Sequence, residues 1–389
     1  MKILALHNYY QRPGGEDRVF ASEAALLEAH GHSVIRISES NQSIGSGGFK
    51  AAGQAVWNHA SLQKVRRAVQ QHKPDLIHAH NTFPLLSPSI YFAGREANVP
   101  VVQTLHNYRL LCPGATLMRD GAPCEECLSK RSVFPAIRHA CYRSSVPATA
   151  AVAAMLTVHR AAGTWQRAVD FYIALSAFSK TRFVEGGLPA ERIAVKQNFI
   201  DNDPPAGDGS GGYALFVGRL SEEKGVGTLQ AAWEYDSALP LTVAGDGPLQ
   251  GDPWPPGVTA VGYQPHDKVL ELMRSAAMLI FPSVWYECNP MTILEAFACG
   301  LPVIASDLGA MRELVDHGRT GLLFRPGDAQ DLARTVRWAV EHPAELAAMR
   351  IEARREYEAK YTPERNYAML MDIYRAAMER AQERKRKAS

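Results

Sequence analysis

The sequence has no long apolar run and almost no net charge. Its most apolar stretch, Val146–Val158, is shorter than the roughly 18 to 20 residues that a membrane-spanning helix needs. The first residues enter a strand-like pattern directly and lack the apolar core of an export signal. A net charge of +2 argues against extensive contact with nucleic acid. We therefore expect a cytoplasmic protein without a nucleic-acid partner.

Cysteine is scarce, and its distribution is uneven. There are six cysteines, and the four that cluster are Cys112, Cys124, Cys127 and Cys141. Without an export signal a disulfide framework is not expected. A Cys-x-x-Cys pair with two further cysteines nearby is typical of a structural zinc site, which we predict for these four residues. Reduced thiols packed as small apolar groups are the alternative, and the sequence leaves both open.

No Gly-x-x-x-x-Gly-Lys-Ser/Thr motif occurs, which argues against a P-loop nucleotide site. The 389 residues exceed what one hydrophobic core usually supports, so we expect two domains. Turn-forming residues dominate segment 198–212, where no core is expected, and this segment is predicted to be the linker. The predicted domains are residues 1–200 and 212–365, followed by a C-terminal helix and basic tail over 366–389.

Short apolar runs alternate with helical patterns on both sides of the linker, which predicts two α/β domains with doubly wound parallel sheets. The predicted strands of the first domain are Lys2–Leu6, Ser33–Ser38, Leu76–His80, Val101–Leu105, Tyr172–Leu175 and Ile193–Lys196. Those of the second are Ala214–Val217, Leu241–Ala244, Val258–Val261, Met278–Phe281, Val303–Ala305 and Gly321–Phe324. Ligands of such sheets bind beyond the carboxyl ends of the strands, so the loops there are the candidate site.

The strongest local signal is the pair Glu287 and Glu295, which follows a predicted strand. Between them, Asn289 is predicted to cap a helix whose first residue is Pro290. The free amides at a helix start bind phosphate, and two nearby carboxylates suit the hydroxyls of a hexose and a ribose. The alternative is that the acids only complement the helix dipole.

A second signal is the loop after Ala214–Val217, where Gly218 precedes Arg219 and Lys224. Arginine offers phosphate a rigid fork and lysine a point charge, so the two cations suit a diphosphate without a metal ion. The alternative is a solvated charged loop, since two glutamates adjoin Lys224.

The first domain carries weaker signals at the ends of its strands. His106 follows a predicted strand, and Arg12–Glu16, with the glycines Gly14 and Gly15, follows the first strand. Adjacent glycines let the backbone approach a ligand closely, although they also serve a simple turn. Gly245 and Gly247 raise the same question in the second domain. A lone histidine is more often structural than functional.

Taken in order, these motifs resemble glycosyltransferase family 4, a family of retaining enzymes with the GT-B fold of two facing Rossmann-like domains. The resemblance implies that Glu287 contacts the donor sugar, Glu295 holds the ribose, and Arg219 and Lys224 clamp the diphosphate. It assigns His106 to the donor sugar and the loop Asn289–Thr292, with Pro290 and Met291, to the sugar and phosphate. The expected donor is a UDP- or GDP-sugar, with no catalytic metal, and the C-terminal helix is expected to return to the first domain.

The resemblance leaves other outcomes open. A nucleotide-sugar epimerase, a glycosyl phosphorylase or an inactive sugar-binding scaffold has the same fold. The expected acceptor is a sugar or a lipid-linked sugar in bacterial polysaccharide or glycolipid assembly, contacted by His80 and Asn81. The apolar segment Ala148–Val158 and the basic run Arg384–Lys387 also suggest weak peripheral contact with the inner face of an anionic membrane.

Overall fold

The computed structural model describes residues 1–11, 14–43 and 48–388, so Arg12 and Pro13 of the predicted glycine turn lie outside the described residues. The chain forms two compact units. The first comprises Met1–Leu117, Cys124–Gln197 and Asn366–Ser389, and the second comprises Met118–Pro123 and Asn198–Arg365. Each unit contains its own six-stranded parallel sheet.

The sheet of the first unit has the strand order β2-β1-β3-β4-β7-β8. These strands are β1 Lys2–Tyr9, β2 Ser33–Ser40, β3 Leu76–Ala79, β4 Val101–Leu105, β7 Phe171–Ala174 and β8 Ile193–Val195. The order reverses between β1 and β3, so the loops that follow these two strands border the crevice where such sheets bind ligands.

The second sheet has the order β11-β10-β9-β12-β13-β14 and reverses between β9 and β12. Its strands are β9 Ala214–Val217, β10 Leu241–Ala244, β11 Val258–Gly262, β12 Met278–Phe281, β13 Val303–Ser306 and β14 Gly321–Phe324. Every predicted strand is present, with bounds that agree to within a few residues. Continuous apolar runs identified them because β12 and β13, for example, are buried on both faces.

Helices cover both sheets. In the first unit they are α1 Gly15–Ala29, α2 Gly48–Val56, α3 His59–His72, α4 Tyr91–Ala97, α5 Glu126–Ser129, α6 Phe134–Arg138, α7 Val146–Ala161, α8 Thr164–Arg167 and α9 Ala177–Glu185. In the second they are α10 Val226–Tyr235, α11 His266–Ser275, α12 Met291–Ala298, α13 Ala310–Leu314, α14 Ala329–Glu341 and α15 Pro343–Lys360. A two-stranded hairpin of β5 Met118–Arg119 and β6 Ala122–Pro123 completes the strands.

The segment predicted as a linker is anchored on the second unit. Phe199 and Ile200 are buried, and Ile200 belongs to the main core of that unit, so the prediction that no core forms there was wrong for these two residues. The Ile200 amide donates to the carbonyl oxygen of Tyr361 at 3.1 Å. The sequence signal failed because the two apolar residues stand at the start of a run of turn formers.

The last helix, α16 Pro363–Ala388, confirms the predicted return to the first unit. Its buried apolar residues recur at helical spacing and are Leu370, Ile373, Tyr374, Ala377 and Ala381. The Tyr374 hydroxyl lies 2.8 Å from Nδ1 of His78 in β3, and Arg384 pairs with Asp170 just before β7. The helix therefore packs against the sheet along its length. No helix in the described part of the chain is long and apolar enough to cross a membrane.

Candidate active site

The charged motifs of the second unit meet where its strand order reverses. Gly218, Arg219 and Lys224 lie in the loop after β9, and Glu287 lies in the loop after β12. Because β9 and β12 are neighbours in the sheet, their carboxyl ends bring the two loops together. The sequence identified both loops, and the strand order makes them adjacent.

Glu287 is the centre of this site. Its Oε1 accepts hydrogen bonds from Nζ of Lys224 at 2.6 Å, the hydroxyl of Ser283 at 2.8 Å and Nε1 of Trp285 at 2.8 Å. The carboxylate is buried, whereas the Lys224 side chain is partly exposed. All side-chain hydrogen bonds that Glu287 makes with the described residues end on Oε1, which leaves Oε2 for a ligand hydroxyl.

The backbone fixes the Lys224 side chain beside this carboxylate. Residues Glu222–Lys224 form a 3-10 turn that ends at Gly225, whose φ is 73°. A Cβ at Gly225 would lie 1.9 Å from the Pro282 carbonyl oxygen, so only glycine fits. The amide of Val284 also donates to the Glu223 carbonyl oxygen at 3.0 Å. The two loops are therefore joined by their backbones, and the ion pair follows from that contact.

The glycines after β10 allow the backbone there to approach the backbone of the loop after β9 closely. A Cβ at Gly245, whose φ is 152°, would lie 1.8 Å from the carbonyl oxygen of Gly218. The Leu220 amide donates to the carbonyl oxygen of Asp246 at 2.8 Å. These contacts support the loop that carries Arg219, whose side chain is exposed and has no ion-pair partner among the described residues. Arg219 is thus free to meet an anion.

The start of α12 differs from the prediction by one residue. The helix begins at Met291, Pro290 occupies the cap position in an extended conformation, and Asn289 does not cap it. Instead, Oδ1 of Asn289 accepts from the Asn198 amide, and the Asn289 carbonyl accepts from Nδ2 of Asn198, both at 2.9 Å. The capping prediction was wrong because a partner 91 positions away in sequence takes the side chain.

The amino end of α12 still presents the expected chemistry. Met291 and Thr292 are half-buried in its first turn, where amides lack partners within the helix and the dipole favours an anion. Glu295 lies one turn further along, buried, with Oε1 3.8 Å from Nδ1 of His266. One short helix therefore offers both backbone amides that can bind a phosphate and a carboxylate that can bind a hydroxyl.

In the first unit, three histidines cluster at the carboxyl ends of β3 and β4. Nδ1 of His80 lies 3.0 Å from Nε2 of His106, and His78 lies between the hydroxyls of Thr104 and Tyr374. Burial holds the pKa of His80 and of His106 well below the ordinary value, and it lowers the pKa of His78 to about 4. All three are therefore neutral imidazoles near pH 7.

Sequence reasoning missed the ion pair that accompanies these histidines. Glu23 of α1 and Lys196 are both 1% exposed, with Nζ and Oε1 3.3 Å apart. Oε2 of Glu23 faces Nε2 of His80 at 3.7 Å. Ligand atoms of Glu23, His78 and His80 lie within 4.8 Å of one another, but Lys196 already supplies a cation there. The available signal was a glutamate among the apolar positions of the segment that forms α1.

The glycine turn ends in a carboxylate, Glu16, to which the sequence analysis gave no role of its own. Glu16 follows Gly15, and its Oε1 accepts from the Tyr10 hydroxyl at 2.7 Å and from Nδ2 of Asn107 at 3.2 Å. Its Oε2 is buried without a partner among the described residues, and burial raises the pKa of Glu16. A Cβ at Gly14 would have its nearest neighbour at 3.9 Å, so the turn is open on that side.

The two predicted acceptor residues are buried. Nδ2 of Asn81 donates to the carbonyl oxygen of Asn8 at 2.8 Å, and its Oδ1 accepts from the Phe83 amide at 3.0 Å. His80 is engaged with His106 as described above. Contact between these side chains and an acceptor stays a prediction.

The four clustered cysteines lie in the first unit, and none of them forms a disulfide. Burial raises the pKa of Cys127 to about 11, and the nearby sulfurs of Cys112, Cys141 and Cys124 raise it further. In the part of the chain that the structure describes, these sulfurs do not form a group within 4.8 Å of one another. The thiols therefore converge without the spacing of a closed metal site.

The apolar segment Ala148–Val158 lies in α7, which is amphipathic. Its buried residues are Thr149, Val152, Ala153, Met155, Leu156 and His159, and Val146 and Val158 are exposed. Nε2 of His159 lies 2.7 Å from the Val56 carbonyl oxygen. Most of the apolar face is therefore used inside the unit.

Comparisons with known proteins agree with this arrangement. Residues 4–203 match the model of Glycosyltransferase Family 4, and residues 211–342 match Glycosyl transferases group 1. The 2-deoxystreptamine glucosyltransferase of Streptomyces kanamyceticus is 29% identical over 78% of each chain, and the alpha-D-kanosaminyltransferase of that species is 24% identical over 84% of this chain and 83% of its own.

Solved structures give the same fold. Anabaena HepE, in complex with UDP and glucose, aligns with a TM-score of 0.67 at 22% identity over 96% of this chain and 98% of its own. The sucrose-phosphate synthase of Thermosynechococcus elongatus aligns with a TM-score of 0.72 at 17% identity over the same shares. Both units thus have the Rossmann-like architecture of GT-B glycosyltransferases. On the family match over half its length, the chain belongs to glycosyltransferase family 4.

Proposed function

We propose that this glycosyltransferase transfers a hexose from a nucleotide diphosphate-sugar to an acceptor hydroxyl with retention of the anomeric configuration. The observation that carries the proposal is the Lys224–Glu287 pair, with an Nζ–Oε1 distance of 2.6 Å, at the strand reversal of the second sheet. A sugar-binding carboxylate and a phosphate-binding cation are thereby held side by side. The complex of the structural relative HepE with UDP and glucose supports UDP as the nucleotide.

The diphosphate is assigned to the cations and the helix start of the second unit. Arg219 and Lys224 supply two positive charges, and the first-turn amides of α12 supply partial ones. Negative charge grows on the leaving phosphate as the glycosidic bond breaks, so these groups stabilise the transition state more than the bound substrate. Glu287 then orients the sugar through Oε2, and Glu295 accepts from the ribose.

Retention follows when the leaving phosphate takes the acceptor proton on the face from which it departed. The carbon–oxygen bond to the phosphate breaks, the acceptor oxygen bonds to the anomeric carbon, and its proton passes to the phosphate. No protein base is required for this exchange. The protein contributes positioning and charge stabilisation.

We further propose that the buried groups around His80 set the tautomer of His106. The Glu23 carboxylate favours a proton on Nε2 of His80, which makes Nδ1 of His80 an acceptor for the Nε2–H of His106. Nδ1 of His106 is then an acceptor for a sugar hydroxyl. We assign His106 to substrate contact and His80 and Glu23 to its positioning.

The proposal is tested by mixing the purified protein with UDP- and GDP-hexoses and measuring nucleotide diphosphate release with and without acceptor. Proton NMR of the product gives the anomeric configuration. Release that depends on acceptor, with a retained anomer, supports the proposal; an inverted anomer contradicts it. Epimerisation of the donor without nucleotide release identifies the alternative epimerase activity.

Metal independence is part of the same proposal, since Arg219 and Lys224 already neutralise the diphosphate. We expect turnover in excess chelator to match turnover in magnesium. Activity that chelator abolishes and only magnesium or manganese restores would contradict this.

For the acceptor, we propose a sugar or lipid-linked sugar of bacterial polysaccharide or glycolipid assembly, with weak contact of the basic C-terminus with anionic lipid. Relatives support sugar-like acceptors: one is a 2-deoxystreptamine glucosyltransferase and another an amylovoran biosynthesis glycosyltransferase. Sedimentation with anionic vesicles at low salt tests the contact, and protein that stays in the supernatant contradicts it.

We also propose a structural zinc ion at Cys112, Cys124, Cys127 and Cys141, whose thiols lie near one another in one segment of the first unit and would draw closer together around the ion. Such a site fits the chemistry of four thiols and would order a segment rich in glycine and proline. Elemental analysis of protein purified without added metal tests it. Zinc near one equivalent supports the site, and less than about a tenth of an equivalent excludes it, because complete thiolate sites do not empty during handling.

A further inference from the structure

The first unit contains a strongly cationic cavity of about 390 Å³ on the edge of its sheet opposite the histidines. Asp170 and Arg192, which line it, stand immediately before β7 and β8, so the cavity borders the amino-terminal edge of the sheet. The cationic side chains around it outnumber the two carboxylates of Asp170 and Glu383 and are Arg95, Arg167, Arg192, Arg380, Arg384 and Lys387. This excess of positive charge is confined to a small, concave space.

Two of these arginines have buried N–H groups with no hydrogen-bond partner in the part of the chain that the structure describes. Arg192 is 8% exposed, and its Nη1 donates to the Gln166 carbonyl oxygen at 2.8 Å. Its Nε is buried and makes no hydrogen bond to a described residue, since even Oε1 of Glu191 is 3.9 Å away. Arg384 pairs with Asp170 through Nη1, whereas its Nε and Nη2 are buried and unpartnered among the described residues. Buried donors without acceptors are costly, so a native structure rarely keeps three together.

The local carboxylates do not balance these charges. Asp170 already accepts from the Val101 amide at 2.9 Å and from Arg384. Burial, with Arg380 nearby, lowers the pKa of Arg192, in keeping with the long distance to the Glu191 carboxylate. An external anion would supply the missing acceptors.

We propose that this cavity binds a phosphate group, carried either by a soluble phosphate ester or by the head group of an anionic phospholipid. Guanidinium groups match the oxygens of phosphate in fork geometry, and a cavity of this size admits a small phosphate ester. The cavity is separate from the histidine cluster of the first unit, because the five residues of β4 alone span about 15 Å between the amino-terminal and carboxyl ends of the strands.

The bound phosphate would join the C-terminal helix to the sheet. Arg380, Arg384 and Lys387 come from α16, whereas Arg95, Arg167 and Arg192 come from the rest of the unit. The same helix places Tyr374 against His78. Occupancy of the cavity is therefore expected to stabilise the packing of α16 and, with it, the first unit.

The test measures binding of sn-glycerol 3-phosphate by calorimetry, using full-length protein that carries Arg219→Ala and Lys224→Ala so that the candidate donor site does not contribute. We expect saturable binding, weakened at least about tenfold when Arg380→Gln and Lys387→Gln are added. These two side chains are at least partly exposed, so their replacement preserves the fold. Arg375→Gln, on the same helix but outside the cavity, is the matched control and should bind normally.

A second arm identifies the source of the phosphate. The same variants are sedimented with vesicles of about one part phosphatidylglycerol to three parts phosphatidylcholine, and with phosphatidylcholine alone. Binding to the anionic vesicles that free glycerol 3-phosphate competes away assigns the site to a lipid head group. Binding of the soluble ester without vesicle binding assigns it to a soluble compound. Binding of neither probe, or binding that the Arg380→Gln, Lys387→Gln pair leaves unchanged, would overturn the proposal.

Discussion

In both units the candidate site residues lie at the carboxyl ends of the strands of a parallel sheet. The side chains there are a charged pair in the second unit and neutral histidines in the first. In the second unit, Glu287 is a buried carboxylate that stays paired with the partly exposed Lys224. In the first unit, His80 and His106 are buried and neutral, because burial disfavours the charged imidazole, and the Glu23 carboxylate beside them already pairs with Lys196. Both units hold a lysine–glutamate pair, but Lys224 is partly exposed and can meet a ligand, whereas Lys196 is buried with Glu23.

The largest expected effect is the loss of the paired charge in the second unit. Lys224→Ala should lower turnover by about 100- to 1000-fold, because it removes a cation that acts on charge developing in the transition state. The melting temperature should fall only slightly, since Ser283 and Trp285 still donate to Glu287. Steady-state kinetics together with thermal melting check this.

The matched control is Arg312→Ala, which removes an exposed ion pair with Asp307 elsewhere in that unit and should leave turnover unchanged. A folded Lys224→Ala protein with nearly normal turnover would contradict the assignment of Lys224 to the diphosphate.

Lowering the pH tests the neutral histidines of the first unit. Their pKa values are depressed in the folded state, so the unfolded chain binds more protons below about pH 6.5 and the free energy of unfolding falls as the pH drops. Each such histidine should cost about 2 kcal/mol between pH 7 and pH 5. Glu16 and Asp170, whose pKa values are raised by burial, act in the opposite direction at lower pH.

Denaturant unfolding at pH 7 and pH 5 measures this change in the free energy of unfolding. The change should be smaller in the His78→Gln variant. An equal free energy of unfolding at the two pH values would mean that the histidines become charged in the folded protein as they do in the unfolded chain.

The positioning role of His80 predicts a smaller effect on catalysis. His80→Gln should lower turnover about tenfold, and His106→Ala at least as much, because His80 acts only through His106. The double variant should be no worse than His106→Ala alone. Steady-state kinetics of the two single variants and the double variant measure these effects. If the double variant lost the product of the two single fold-changes in turnover, the two side chains would act independently.

The smallest effect is expected at Glu295, which is assigned to the ribose rather than to the reacting bond. Glu295→Gln should raise KM for the donor about fivefold with little change in kcat, since a hydroxyl contact is made equally in ground and transition states. Nucleotide diphosphate affinity measured by calorimetry should weaken in parallel. A fall in kcat with unchanged KM would move Glu295 to the reaction itself.

Much of this protein was determined by local sequence. Continuous apolar runs identified the strands, and the loops with Gly218, Arg219 and Glu287 were identified as the candidate site because they follow those strands directly. Such signals are readable because strand formation and loop chemistry depend mainly on neighbouring residues.

Only the tertiary structure showed which side chains pair with partners that are distant in sequence. Asn289 was predicted to cap a helix, but Asn198 binds it instead. Glu23 meets Lys196 and His80 only because α1 packs on strands that are distant in sequence, and the cationic cavity exists only because α16 brings Arg384 to Asp170. No local pattern carries this information, because strand order and the return of a terminal helix place together residues that lie hundreds of positions apart.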